Sequence, residues 1–148
     1  MKNGLRMNEN PHLILLDTHI WIWFSTGSPN AVSARLRTLI DKLLPLSSVK
    51  ISAISAWETG NLVSKNRIAF GGGVKDWVYR TLATTGIIVE PVTADIAIES
   101  TLLSGGFHGD PADRILLATA KAIGATLITH DKEILSYAKK HGLPALSM

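Results

Sequence analysis

Four short apolar runs, separated by stretches of helical periodicity, constrain this chain more than any other feature. Leu13-Ile14-Leu15-Leu16, Val49-Lys50-Ile51, Ile87-Ile88-Val89 and Thr126-Leu127-Ile128-Thr129 are too short for helices and read as buried strands. Between them the spacing predicts helices. A short helical turn is expected over Ile20 to Phe24. A longer helix is expected from about Ala31 to Leu44, after turn chemistry at Ser28-Pro29-Asn30, with Pro45 as its stop. Another follows a Ser52 or Ser55 cap and carries Trp57, Glu58, Leu62 and Val63. Val74 to Ala83 has Trp77, Val78 and Leu82 facing inward, and Ala94 to Leu103 has Ile96, Ile98 and Leu102 as apolar members. Asp110-Pro111 opens a helix that Gly124 ends, Asp131 opens the last one, and Ala145-Leu146 suits a final edge strand. Strands alternating with helices predict an α/β domain with a mostly parallel sheet and right-handed crossovers.

At 148 residues there is room for one core, assigned to residues 11–148, behind a polar, loose tail over residues 1–10 in which Met7 is an alternative start. The absence of Cys excludes disulfides, zinc thiolates and cysteine nucleophiles. The apolar stretch from Leu13 to Phe24 is broken by Asp17 and His19 and is too short to span a bilayer, so no membrane association is expected. A cytoplasmic location is consistent with these features. The net charge of +3 suits a polyanionic partner, or serves solubility alone.

In parallel α/β folds ligands sit beyond the carboxyl ends of the strands. Asp17 follows the first strand and Asp131 the fourth. Glu58 and Asp113 lie on helices whose N-terminal ends face the same edge, with Asp110 nearby. Clustered carboxylates repel unless a cation neutralises them, and oxygen donors without Cys suit Mg²⁺ or Mn²⁺. One such ion could activate water and a second could stabilise the leaving oxygen of a phosphodiester. Each acid also has a plainer reading. Asp110, Asp113 and Asp131 suit helix starts, and Glu58 could be a surface acid. Asp17 is hardest to explain plainly, because an acid closing a buried strand is costly without a partner.

Leu15-Leu16-Asp17-Thr18-His19 with Trp21 and Trp23, then Ser55-Ala56-Trp57-Glu58, His108-Gly109-Asp110-Pro111-Ala112-Asp113-Arg114, and Leu127-Ile128-Thr129-His130-Asp131 resemble the motifs of PIN-domain nucleases, in that order. Within them the chain is most similar to VapC-type toxins. The resemblance implies a three-layer α/β/α sandwich with a central parallel sheet. It implies an endoribonuclease dependent on Mg²⁺ or Mn²⁺, a cognate antitoxin across the active-site groove, and a homodimer. Asp17, Glu58, Asp113 and Asp131 become the acidic, metal-binding quartet and Asp110 an additional acid. Thr129 becomes a hydroxyl that orients ligands, and Arg114 a residue that steadies phosphate or pairs with an acid. Two departures stand out: Thr59-Gly60-Asn61 replaces more usual apolar residues, and Ala112 stands where Phe is common. Gly60 should weaken its helix by roughly 1 kcal/mol relative to Ala.

Other residues have two readings. His19 and His108 suit hydrogen-bonded structural roles or ligation. Trp21, Trp23 and Phe24 suit the core or an exposed groove. Lys65, Arg67 and Lys75 suit a solvated loop or an RNA path. Gly71-Gly72-Gly73 lacks the Gly-Lys-Ser/Thr of a phosphate loop. Two further functions fit the class: a Mg²⁺-binding phosphoacceptor receiver domain, which wants an acceptor Asp after the third strand where Glu90-Pro91 stands, and a non-catalytic module binding RNA or protein.

Overall fold

The computed structural model describes residues 10–28, 31–107 and 109–148. The expected tail before Asn10, the turn residues Pro29 and Asn30, and His108 lie outside them. In chain order the elements are β1 (Ile14–Leu16), α1 (Thr18–Thr26), α2 (Ala34–Leu43), a 3₁₀ turn (Leu44–Leu46), β2 (Val49–Ser52), α3 (Ala53–Ser64), α4 (Val74–Thr85), β3 (Ile88–Glu90), α5 (Ala94–Thr101), α6 (Pro111–Ile123), β4 (Thr126–Ile128), α7 (Lys132–His141) and β5 (Ala145–Leu146).

All four strand pairings are parallel, in the order β3-β2-β1-β4-β5. The β1 strand sits at the centre and is fully buried, which is why it contains no polar residue. Its side chains alternate between faces. Ile14 and Leu16 join a cluster with Trp21, Leu36, Ile40 and Trp77 from α1, α2 and α4. Leu15 joins a second cluster with Leu116, Leu117, Ile134 and Ala138 from α6 and α7. The result is a three-layer α/β/α sandwich.

Several local expectations are corrected. The turn after Asp17 is a full nine-residue helix, started by Asp17 and ended by Gly27 in the left-handed conformation. Ser33 caps α2, three residues beyond the expected start, by accepting from Leu36 N. On α5, Ile96 is buried but Ile98 and Leu102 are exposed. The helix packs through Ile96 and Ser100, one turn apart, and at 100° per residue position 98 faces away. The α3 helix runs unbroken through Gly60. Among the described residues no helix is long and apolar enough to cross a membrane.

The topology also removes the phosphoacceptor reading. In the receiver-like strand order the third strand lies beside the first. Here β3 is at the edge, and Glu90 at its end is ion-paired with Lys50 Nζ at 2.8 Å.

Candidate active site

Strand order reverses between β1 and β4, and a crevice forms at the carboxyl ends of strands where this happens. Asp17 leaves β1 at that point and is the N-cap of α1. Its Oδ1 accepts from Thr18 N at 2.7 Å and its Oδ2 from Thr129 Oγ1 at 2.6 Å. Thr129 is fully buried just past β4 and also accepts from Asp131 N at 3.0 Å. This hydroxyl therefore ties Asp17 to the start of α7. Asp131 caps α7, accepting from Ile134 N at 2.9 Å.

Glu58 reaches the same rim from the second turn of α3. Its Oε1 accepts from Thr18 Oγ1 at 2.6 Å, and Thr18 Oγ1 is hydrogen-bonded to Ser55 Oγ at 2.8 Å. Thr18 thus serves two acids, one through its amide and one through its hydroxyl. The sequence reading missed Thr18 and Ser55 as positioning residues. Their only signal was adjacency, Thr18 following Asp17 and Ser55 standing three residues before Glu58.

Asp113 enters from the first turn of α6. Asp110 caps that helix by accepting from Asp113 N at 2.9 Å, and Pro111 follows at the first position. The preceding loop passes so close that a Cβ on Gly109 would lie 2.2 Å from the Phe107 ring and 3.1 Å from Asp113 Cβ. Arg114 secures this loop. It donates to the carbonyls of Phe107 and Gly109, and its guanidinium lies 5.8 Å from the Phe107 ring centroid. The structure places Arg114 in that clamp, and among the described residues it is in no ion pair with an acid.

The electrostatics follow from this convergence. Burial raises the Asp17 carboxyl above the ordinary range, against the hydrogen bonds from Thr129 and Thr18. Burial also raises Glu58, opposed by Thr18 and reinforced by Asp17 and Asp110. Asp113 is pushed up to about 7, first by burial and then by Asp110, Asp17, Asp131 and Glu58 together. Asp17, Glu58 and Asp113 each feel at least one other acid of the rim and are the partly buried ones, whereas Asp110 and Asp131 are exposed. Among the described residues no three His, Asp or Glu side chains are close enough to enclose an ion by themselves. A Mg²⁺-type site does not need such a cage, because that ion keeps several waters and takes one or two carboxylates. The donor set, all hard oxygen with neighbouring acids that disfavour one another's ionisation around Asp113, suits a divalent cation of that kind.

A cleft of about 280 Å³ opens beside the acids, and its lining includes Glu58, Asp110, Lys65 and Arg67. Its lining also includes His19, which is exposed and packs on Trp23 with ring centroids 5.7 Å apart. Trp21 is core, and Trp23 and Phe24 pack partly buried against it.

A model of the PIN domain matches residues 14–143. The chain is 32% identical over 127 residues to Ribonuclease VapC22 of Mycobacterium tuberculosis (strain ATCC 25618 / H37Rv), covering 84% of this chain and 91% of that protein. Its fold is similar to that in the crystal structure of VapBC2 from Rickettsia felis bound to a DNA fragment from their promoter. There the TM-score is 0.63 at 18% identity, over 91% of this chain and 98% of that one. For FitAcB from Neisseria gonorrhoeae the values are 0.60 and 23%, over 90% and 96%. The match spans every strand except the last together with all the acids at the rim, and the chain belongs to the PIN-domain family.

Proposed function

We infer that this protein is a VapC-type endoribonuclease that hydrolyses RNA phosphodiesters with Mg²⁺ or Mn²⁺, and that it is the toxin of a toxin–antitoxin pair. The observation that carries the reading is the meeting of Asp17, Glu58, Asp110, Asp113 and Asp131 at the strand-order reversal, with Asp113 pushed up to about 7. The relative named a ribonuclease supports the activity, and the VapBC2 and FitAcB structures support an antitoxin partner. Asp17, Glu58, Asp113 and Asp131 would hold the cation between them, one or two directly and the others through its waters, and when bound it supplies Lewis acidity toward phosphate. The chain's own work is orientation. Thr129 and the Thr18 amide fix the Asp17 carboxylate, and the Thr18 hydroxyl fixes Glu58. Without a cation Asp113 is pushed up to about 7, so a bound cation would favour its ionised form and relieve the crowding of the acids. All five acids are retained, so nothing favours a non-catalytic module. Cytoplasmic action and a homodimer are part of the same reading.

The test is cleavage of a single-stranded RNA by purified protein with Mg²⁺ or Mn²⁺. Wild type should cut and Asp17→Asn should lose about a thousandfold or more, since a charge meeting the reaction at a preorganised site is removed. Undiminished cutting by Asp17→Asn, or in excess chelator, refutes the reading.

A further inference from the structure

The cleft beside the acids contains groups that carboxylate chemistry does not use. Trp57 lines it from α3 and is 61% exposed. The other tryptophans are packed: Trp21 and Trp77 touch at 5.2 Å between ring centroids in the core, and Trp23 packs on His19. A large aromatic face left in water forgoes burial that the fold could have used. Lys65 and Arg67 line the same cleft, and neither is in an ion pair among the described residues. At about 280 Å³ the cleft lies at the small end of ligand pockets, suited to one ring system. An aromatic platform with adjacent cations is the element set that binds single-stranded nucleic acid by stacking the base and neutralising the phosphate.

We propose that this cleft is a nucleotide subsite, in which Trp57 stacks one unpaired base and Lys65 and Arg67 hold an adjoining phosphate, delivering the strand to the acids at Glu58 and Asp110. The subsite rests on the ribonuclease reading for its purpose, not for its binding chemistry. An apolar side chain of a protein partner would use Trp57 and leave both cations idle; a nucleotide uses all three.

The experiment titrates adenosine 5′-monophosphate into the ¹⁵N-labelled intact protein in excess chelator and follows the tryptophan indole N–H signals. Trp57 is exposed, so its variants keep the fold, and Trp57→Phe identifies its signal by loss. The nucleotide should move the Trp57 signal much further than inorganic phosphate alone does. Binding, followed in the variants on backbone amide signals of the cleft, should weaken about tenfold in Trp57→Leu, less in Trp57→Phe, and about tenfold in Arg67→Gln. An unmoved Trp57 signal, or equal affinity in Trp57→Leu, overturns the subsite. A response of the Trp57 signal to phosphate as large as that to the nucleotide overturns the stacking. RNA cleavage by the same protein with Mg²⁺ or Mn²⁺ restored separates the two ideas: cutting without a nucleotide response leaves the nuclease reading standing and removes the subsite, and a response without cutting does the reverse.

Discussion

Replacing Asp113 by Asn should make the metal-free protein more stable while removing its activity. The folded state raises the Asp113 carboxyl from 3.8 to about 7. The folded state therefore binds that proton more tightly than the unfolded chain does. By linkage, the associated stability is fully present below the unfolded value and is lost as pH rises through the folded one. Above neutrality the wild-type protein thus holds an unfavourable charge that Asn does not carry. About three units at 1.36 kcal/mol each give an upper bound of roughly 4 kcal/mol. Asp113 is only half-buried, so solvent screening reduces this to about 1–2 kcal/mol. For a chain this size that is a rise in Tm of about 3–6 °C. The assay is thermal or urea unfolding in chelator near pH 8 and again near pH 4. The gain should appear near pH 8 and vanish near pH 4, where both side chains are neutral. A variant no more stable than wild type near pH 8, or a gain independent of pH, refutes the reasoning.

Excess Mn²⁺ should reverse the order near pH 8, raising the wild-type Tm by several degrees and that of Asp113→Asn by much less, because only binding to the folded state stabilises it. Differential scanning fluorimetry with and without chelator checks this, and equal shifts would show that Asp113 is not part of the cation site. Thr18→Val should cost about 1–2 kcal/mol, because it leaves Glu58 and Ser55 short of a partner, and should lower RNA cleavage by roughly 10–100-fold. Steady-state kinetics beside urea melts would show whether activity falls more than stability explains. Gly60→Ala should stabilise by about 0.5–1 kcal/mol, because a Cβ there meets nothing within 4 Å and the position is helical. A melt showing destabilisation would mean that α3 needs the glycine.

By itself the sequence determined the class of fold. Four apolar runs of strand length, separated by capped helical stretches, leave a parallel sheet covered on both faces as the way to bury β1. Asp110 and Asp131 were legible as helix starts, since each side chain accepts a bond from its own helix, whereas Asp17 read only as an acid closing a strand and the structure shows that it too caps a helix. Local pattern could not say that Ile98 and Leu102 face solvent, or that Arg114 clamps the loop at Phe107 and Gly109, because those depend on which face meets a neighbour. Nor could it give Thr18 its two acids: Glu58 is 40 residues away and Thr129 is 112 from Asp17. Only the strand order, with β4 returning beside β1, brings these groups into one poorly solvated rim. There burial first, and then the repulsion between carboxylates that is negligible along an extended chain in water, push Asp113 up to about 7.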